Sequence, residues 1–385
     1  MTPLRVALVA DYREEGWPSM DLVADMLLER LRTEHEAAVA ATLVRPPMRR
    51  RLSLLAPGRT LIVDRIMNRI LDYPRLVGKL AGSFDLFHIV DHSYAHLVHA
   101  LPAARTIVTC HDLDAFRSVL EPAREPRSAA FRAMTRRILS GLRQAAHVAC
   151  DTEATRDGLV STGGVAIERT TVIHNGPHPS CTPEAESTAD AEAARIVGGG
   201  GRIDLLHVGS TIDRKRIDLL LRVFAAVHRD RPEVRLVRVG GAFGADHRRL
   251  AREFGVELDI VVLPFLDRAT LAAIYRRSVV VLLPSEREGF GLPVLESMAC
   301  GTPVVASDIC ALREVGGDGA VYCPLDDVEA WKQAIESLLD ERRRDPAAWA
   351  ARRGRAVARA ASFSWTQYAA SVTSLYERVA GRAAC

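Results

Sequence analysis

Two glutamates flank a glycine-rich turn in the stretch EREGFGLPVLESMACGTPVV, which occupies residues 286–305. Glu288 comes before the turn and Glu296 comes after it. Two carboxylates beside a phosphate would repel it, but a carboxylate can accept two hydrogen bonds from the neighbouring hydroxyls of a ribose or a hexose. The pair therefore indicates recognition of sugar hydroxyls.

The glycines between the two acids favour a different contact. Gly289 and Gly291 carry no side chain, so the backbone can approach a ligand closely, and a loop that leads into a helix N-terminus binds phosphate through its N–H groups. We therefore predict a nucleotide sugar with its diphosphate at the glycines and its hydroxyls on the two carboxylates.

The elements around the turn must hold these groups in place. The apolar runs VVVLLPS and PVVAS on either side are short enough for buried parallel strands. Between them, PVLESMAC is predicted to be a short helix, with Pro293 in its first turn and Gly301 just past its end.

Strand-like and helix-like segments alternate along both halves of the chain, which predicts an α/β fold with two doubly wound, Rossmann-like domains. The first domain is expected over residues 1–180, a polar linker over 181–200, the second domain over 201–363, and a helix over 364–385 that packs back on the first domain. Because open α/β sheets bind ligands at the carboxyl ends of their strands, we expect the site in a cleft where the two domains face each other.

Loops at the predicted strand ends supply further candidates. His111 follows TIVTC, Asn175 follows TTVIH, and Gly16 lies in the loop after the first strand. His111 could be a buried histidine satisfied by the protein, or it could bond a sugar hydroxyl or a phosphate oxygen, and the residue types leave both interpretations open.

The segment GSTIDRKRID places three cations, Arg214, Lys215 and Arg216, between a predicted strand and a helix. Cations there can neutralise a diphosphate and stabilise the charge that builds on it as a leaving group. The alternative is a solvated helix start. Lys215 is the principal candidate, and Arg214 is the second.

Composition restricts the class of protein. The 385 residues are 48% hydrophobic with a mean hydropathy of +0.03, and no apolar run reaches the roughly 18 to 20 residues that span a bilayer. We therefore expect a cytoplasmic protein with free thiols on its seven scattered cysteines, and the net charge of +3 does not favour nucleic acid as a partner. Serine hydrolases, P-loop NTPases and dinucleotide oxidoreductases are disfavoured because their glycine motifs are absent.

A basic segment covers residues 45–79, with nine basic side chains and two acidic ones among Leu, Ile and Met. It could contact an anionic membrane surface or hold an acidic acceptor. The alternative is an ordinary solvated basic face over a stripe that points to the core.

A metal ion is not expected. His92, His96 and His99 could share one helix face, but no carboxylates accompany them as a second shell. The only Asp-x-Asp motif is Asp112 with Asp114.

The stretch EREGFGLPVLESMACGTPVVAS resembles the signature of the retaining GT-B glycosyltransferases of family GT4, including their pair of glutamates. The segments TIVTCHDLDAF, TTVIHNG, LLHVGSTIDRKRIDLLL and FSWTQYAASVTSLYERV are similar to other blocks of that family, so the resemblance covers nearly the whole chain. It implies a GT-B fold and transfer of a hexose-type sugar from a UDP or GDP sugar, without a cofactor. The acceptor would be a hydroxyl of a glycolipid, a polysaccharide precursor or a small natural product.

The resemblance also implies roles for single residues. Glu288 and the backbone of residues 289–292 would hold the sugar, Glu296 the ribose diol and Lys215 the diphosphate, while His111 would touch the sugar or the phosphate. The catalytic candidates are thus His111, Lys215 and Glu288, and the donor-binding candidates are Gly16, Asn175, Ser210, Arg214, Lys215, Gly289, Phe290, Gly291, Leu292 and Glu296.

Two departures from the family pattern matter. Ser210 stands where the family usually has an arginine, so one phosphate contact is missing unless Arg214 or Arg216 replaces it. The usual Gly-Gly pair of the first loop is also absent, and Gly16 is followed there by Trp17. The acceptor therefore cannot be transferred from better-known members.

Two other hypotheses remain open from the sequence. A nucleotide-sugar epimerase can share this architecture, and it would need an acid/base pair, for which only Glu288 and His111 are candidates. A membrane-bound scaffold that uses residues 45–79 would need no chemistry at all.

Overall fold

The computed structural model of the protein describes residues 2–52, 59–199 and 201–381. The chain divides into two compact units. The first unit contains the residues up to Asn175 together with the segment that begins at Ser364, and the second is Gly176–Phe363.

The first unit is built on a sheet of six parallel strands. These are β1 (Leu4–Val9), β2 (Val39–Val44), β3 (Leu86–Ile89), β4 (Thr106–Cys110), β5 (His147–Cys150) and β6 (Thr170–Val172). They lie in the order β2-β1-β3-β4-β5-β6. The inner strands are short apolar runs that are buried along their whole length, as expected of strands with helices on both faces.

The helices of this unit are α1 (Pro18–Glu34), α2 (Arg59–Met67), α3 (Tyr73–Leu80), α4 (Arg117–Leu120), α5 (Ala129–Gln144) and α6 (Glu153–Gly158). A π-helical turn over Asn68–Asp72 joins α2 to α3, so the backbone stays helical from Arg59 to Leu80. The segment between β3 and β4 adds 3-10 turns over His92–Ala100.

The second unit has its own sheet of six parallel strands. These are β7 (Ile203–Val208), β8 (Val234–Val239), β9 (Ile260–Leu263), β10 (Val280–Leu283), β11 (Val304–Ser307) and β12 (Val321–Cys323). The order β12-β11-β10-β7-β8-β9 places β10 beside β7. The chain thus runs outward in one direction from β7 and in the other from β10, and such a reversal is where doubly wound sheets bind ligands.

The helices of the second unit are α7 (Ser187–Val197), α8 (Ile217–Asp230), α9 (Ala245–Glu253), α10 (Arg268–Arg277), α11 (Leu292–Ala299), α12 (Cys310–Gly316), α13 (Val328–Arg344) and α14 (Pro346–Ala360). The predicted alternation of strands and helices is confirmed, including the strand, loop, helix and strand around the glycine turn.

Residues 181–200 differ from the linker that the sequence predicts, because they contain α7 and belong to the second unit. Ala189, Ala193 and Val197 are buried, and their spacing of four places them on one face of the helix. An ion pair of 2.7 Å between Asp190 and Arg276 also joins α7 to α10. The alanines that suggest a connector in the sequence are instead a narrow row of buried side chains along one face of α7.

The last helix, α15 (Trp365–Val379), packs against the first unit. Ser364 caps its N-terminus by accepting a hydrogen bond from the backbone N–H of Gln367. Tyr376 is buried, and its hydroxyl lies 2.7 Å from Nδ1 of His88 on β3. The polypeptide therefore returns to its starting unit after completing the second.

Within the described residues, no helix is long and apolar enough to cross a membrane. The six cysteines of these residues are unbridged, and Cys310 is exposed while the other five are buried. Cys385 and residues 53–58 of the basic segment lie outside the described residues.

Candidate functional site

The candidate donor site lies at the carboxyl edge of the second sheet. The loops that follow β7 and β10 are neighbours there, because the two strands are paired. The first loop contains Ser210, Arg214 and Lys215, and the second contains Glu288 and Gly291. The structure thus brings together residues that are more than seventy positions apart in the sequence.

The glycine turn leads directly into α11. Gly291 is the N-cap residue with a φ of 90°, and a Cβ there would lie 2.4 Å from Cδ2 of Leu312, so only glycine fits without strain. Leu292 and Pro293 form the first helical positions, which leaves the backbone N–H groups of the turn at the helix N-terminus. The side chain of Phe290 is buried against Phe363, with ring centroids 6.0 Å apart, so only its backbone is left to face the turn.

Glu288 is held by two cations from the neighbouring loop. Nζ of Lys215 lies 2.5 Å from Oε1 of Glu288, and Nη1 of Arg214 lies 2.9 Å from Oε2. Burial alone would raise the pKa of Glu288, but the charges of Lys215 and Arg214 lower it to about 2. The carboxylate is therefore ionised at neutral pH and fixes the position of the lysine.

Glu296 lies one turn inside α11 and has different partners. Its Oε2 accepts a hydrogen bond of 3.0 Å from the hydroxyl of Tyr275, and Nη1 of Arg268 lies 3.6 Å from Oε1. Burial raises the pKa of Glu296, against the opposing effects of Arg268 and Tyr275. Both partners come from α10 and were not among the sequence candidates, because neither stands beside a recognisable motif.

The structure also shows the surroundings of Ser210, where the family usually has an arginine, and of Arg216, one of its two candidate replacements. Arg216 has a φ of 48° and makes ion pairs with Asp218 at 3.0 Å and Asp326 at 2.9 Å, so its charge is already matched. Arg214 is turned toward Glu288. Ser210 is half-buried at the end of β7.

Two further buried polar residues lie beside this loop. Arg238 on β8 and His207 on β7 are register partners, and both are fully buried. Burial lowers the pKa of His207 to about 3, with smaller contributions from the charges of Arg238 and Lys215. Sequence reasoning missed both residues, although an arginine inside the apolar run VRLVRV indicates a charged side chain in a buried strand.

His111 lies in the first unit at the end of β4. Its Nδ1 is 2.7 Å from Oδ2 of Asp151 and its Nε2 is 2.7 Å from the carbonyl oxygen of Val90. Burial alone would lower the pKa of His111, but the carboxylates of Asp151 and Asp91 raise it to about 9. Because both partners are acceptors, both ring nitrogens donate, and a contact with a sugar or phosphate oxygen requires one of these bonds to be exchanged. The proposed ligand contact of His111 stays a prediction.

The other candidates of the first unit follow its strands. Gly16 has a φ of 71° and is exposed in the loop after β1, while Asn175 is buried after β6. Sequence reasoning passed over Asp11, which follows β1 and is buried with no hydrogen-bond partner for either carboxylate oxygen. Burial raises its pKa to about 7, with further contributions from Asp91 and Asp21.

His92, His96 and His99 each make a hydrogen bond within the protein through a ring nitrogen. Nε2 of His96 bonds the carbonyl oxygen of Arg69 at 2.8 Å, and Nε2 of His99 bonds that of Arg137 at 3.1 Å. Nδ1 of His92 accepts from the backbone N–H of His111. Among residues 2–52, 59–199 and 201–381, no three His, Cys, Asp or Glu side chains are grouped closely enough to hold a metal ion.

Comparison with known families agrees with this geometry. The family described as "Glycosyl transferases group 1" matches residues 192–355, and the family described as "Glycosyltransferase Family 4" matches residues 21–180. The chain belongs to glycosyltransferase family 4. The D-inositol 3-phosphate glycosyltransferase of Kineococcus radiotolerans is 33% identical to it over 248 residues, which are 59% of this chain and 56% of that protein. The chain spans about half the length of the curated relatives that it matches.

Solved structures show the GT-B fold for this family member. Sucrose-phosphate synthase from Thermosynechococcus elongatus superposes with a TM-score of 0.74 at 21% identity, covering 97% of this chain and 98% of that one. Anabaena HepE in complex with UDP-glucose superposes with a TM-score of 0.68 at 17% identity, covering 96% and 99%. At these identities the likeness concerns the fold alone, and the predicted pair of Rossmann-like α/β units is confirmed.

Proposed function

We propose that this protein is a retaining glycosyltransferase that moves a hexose-type sugar from a nucleoside diphosphate sugar to a hydroxyl acceptor. The observation that carries the proposal is the ion-paired group of Lys215, Arg214 and Glu288 at the strand reversal of the second sheet, beside a glycine turn that opens a helix. Cations and N–H groups in this arrangement suit a diphosphate. The epimerase alternative needs an acid/base pair, and both of its candidates are held by protein partners.

The donor is expected to be a UDP or GDP sugar. HepE, which shares the fold, was crystallised with UDP-glucose, and this supports a nucleotide sugar here. In the proposed complex Glu296 accepts hydrogen bonds from the ribose diol, Glu288 and the backbone of residues 289–292 hold the sugar, and His111 touches the sugar or a phosphate oxygen. Gly16, Asn175 and Ser210 complete the proposed donor contacts.

The expected reaction follows the front-face route of the family. The bond from the anomeric carbon to the phosphate oxygen breaks, and the acceptor oxygen bonds to that carbon on the same face. The acceptor's proton passes to the departing phosphate oxygen. Lys215, Arg214 and the N-terminus of α11 stabilise the negative charge that the diphosphate gains, so the reaction is proposed to need no metal ion or cofactor.

The test is turnover by the purified protein. UDP-, GDP- and ADP-sugars are offered with hydroxyl acceptors that include cyclitol phosphates, sugar lipids and small natural products, and nucleoside diphosphate release is measured with and without EDTA. The proposal expects acceptor-dependent release that EDTA leaves unchanged. Absence of binding and turnover with every donor would refute the function, and activity lost to EDTA and restored by Mn²⁺ would refute the metal-free route.

We further propose that the first unit contacts an anionic membrane through α2, the π-helical turn and α3. Five aliphatic side chains of this continuous helix are exposed, with Ile62 at 59%, and the others are Val63, Ile66, Ile70 and Leu71. They recur at helical spacing, so they form one apolar face toward solvent. We call these five residues the exposed apolar face.

Over α2 and the π-helical turn, the opposite face of this helix is polar and buried. Asp64 accepts hydrogen bonds from the backbone N–H of Arg51 and Leu52, and Asn68 pairs with both backbone groups of Arg49 at 2.8 Å. The pattern is thus the reverse of an ordinary core-facing stripe. The same part of the chain has exposed cations at Arg49, Arg50, Arg75 and Lys79, and exposed apolar side chains together with cations are complementary to an anionic lipid surface.

A further inference from the structure

Arg238 is a buried cation without an acidic partner. Its side chain is fully buried on β8, yet no Asp or Glu of the described residues lies within ion-pair distance of its guanidinium. It donates instead to two backbone carbonyls, Gly209 at 2.9 Å and Gly241. Its plane also lies over the ring of Phe243, 5.1 Å from the centroid. Carbonyl dipoles and a ring do not neutralise a full charge.

Such a residue is costly to the folded protein. Taking a guanidinium out of water carries a desolvation penalty that a paired carboxylate normally offsets. Burial accordingly lowers the pKa of Arg238 to about 10, which still leaves it protonated at neutral pH. The other arginine of β8, Arg235, is paired with the carboxylate of Asp204 at 2.5 Å.

The charge sits directly behind the loop of the candidate donor site. Gly209, whose carbonyl Arg238 holds, is followed by Ser210, and the Cδ and Cε atoms of Lys215 lie 3.7 Å from the position of a Cβ on Gly209. Arg238 and Lys215 thus converge on the same glycine. His207 lies beside both, but it is neutral and cancels neither charge.

We propose that Arg238 is a positioning residue that supplies a fixed positive charge to the diphosphate of the donor from behind Gly209, without touching it. This inference rests on the proposed function of the site. Glu288 offsets only one of the two cations in front, Lys215 and Arg214, and Arg238 adds a further positive charge that no carboxylate offsets. Arg238 could also replace the arginine that the family usually has at Ser210, because its guanidinium reaches the same end of β7 from the neighbouring strand β8. A buried charge is weakly screened by salt, so its effect reaches a ligand that it does not contact.

The test separates charge from hydrogen bonding. Arg238→Lys keeps the charge with fewer donors, whereas Arg238→Gln keeps an amide donor for the carbonyls without the charge. Binding of UDP, GDP, uridine and inorganic pyrophosphate is measured by calorimetry on the full chain, with thermal melting to show that each variant is folded. Arg235→Gln on the same strand is the matched control.

We expect Arg238→Gln to lower the affinity for pyrophosphate and for the nucleoside diphosphate about tenfold. The affinities of Arg238→Lys should stay within about threefold of the wild-type values. Uridine binding and the Arg235→Gln control should stay unchanged. Equal losses in the Lys and Gln variants, or no loss in either, would overturn the inference, as would a wild type that binds no pyrophosphate. A wild type that binds pyrophosphate through Arg238 but no nucleotide would refute the proposed function and leave the anion role of Arg238 standing.

Discussion

Nζ of Lys215 lies 2.5 Å from Oε1 of Glu288, although 73 residues separate them in the chain. The pair joins the loops after β7 and β10, where the strand order of the second sheet reverses. A lysine held in this way has little freedom left to lose when a substrate binds, which suits the proposed role of stabilising charge on the leaving group.

Replacing Lys215 should slow the chemical step. We expect Lys215→Ala to lower kcat by about 10²-fold or more, because the charge that stabilises the departing diphosphate is removed. Steady-state kinetics at saturating donor, together with donor affinity by calorimetry, measure this. Lys332→Ala, which breaks an ion pair with Asp230, is the control and should leave kcat unchanged. A Lys215→Ala variant with altered KM and normal kcat would assign the role to Arg214 or the N-terminus of α11.

Replacing Glu296 should move binding and stability in opposite directions. Burial raises the pKa of Glu296, so ionising this carboxyl group costs the folded state free energy, and the neutral amide of Glu296→Gln removes that cost. The same change weakens two charge-assisted hydrogen bonds to the proposed ribose diol, by about 1.5 to 3 kcal/mol. We expect a thermal midpoint equal to or above that of the wild type and weaker nucleotide binding.

The matched control for this experiment is Glu341→Gln, which breaks a pair with Arg352 elsewhere in the second unit. The pKa of Glu341 is lowered, chiefly by the hydrogen bond from Arg352, so this variant should lose stability and keep its nucleotide affinity. Undiminished nucleotide affinity in Glu296→Gln would remove Glu296 from the proposed site.

His111 should make stability fall at alkaline pH. Its pKa is raised from 6.5 to about 9 in the folded protein, so the stability it contributes is complete below about pH 6.5 and is lost as pH rises toward 9. The loss over that window should be about 2 to 3 kcal/mol. Urea denaturation at several pH values between 6 and 9 measures the slope, and His111→Gln should flatten it.

His147→Gln is the control for the alkaline window. Burial lowers the pKa of His147 to about 4, so its own titration lies below pH 6.5 and the slope above that value should persist in this variant. An unchanged slope in His111→Gln would show that another group is responsible.

The exposed apolar face should bind anionic vesicles. We expect the protein to sediment with vesicles of mixed phosphatidylglycerol and phosphatidylcholine, less with pure phosphatidylcholine, and less at high salt because exposed charges are screened. The double change Ile62→Glu and Ile66→Glu should abolish sedimentation and leave nucleotide binding intact. Leu258→Glu alters an equally apolar exposed residue outside this face and should have no effect. Wild-type protein that stays in the supernatant with anionic vesicles would contradict the proposal.

The strands and the glycine turn could be predicted from the sequence because each is specified locally. Short apolar runs bounded by Gly, Pro or Asp are typical of buried strands in an alternating α/β pattern, and Gly291 with Pro293 marks a helix start. α7 could not be predicted with the same certainty, since Ala189 and Ala193 form a stripe that is weak beside the polar composition around it.

The contacts within the site could not be predicted in the same way. That Glu288 pairs with Lys215, and that Tyr275 and Arg268 flank Glu296, depends on which strands are neighbours, and spacing along the chain does not contain that information. His111 shows the same limit. Its residue type allowed two interpretations, and only the positions of Asp151 and Val90 show that both of its nitrogens are engaged.

The most direct test of the central claim is the anomeric configuration of the product, read by proton NMR from an α-linked nucleoside diphosphate sugar and an accepted hydroxyl acceptor. The proposed retaining reaction predicts an α-linked product, which the wild type forms and Lys215→Ala forms about 10²-fold more slowly. A β-linked product would contradict the retaining front-face reaction, and failure to form any glycoside from UDP-, GDP- or ADP-sugars would contradict the assignment as a glycosyltransferase.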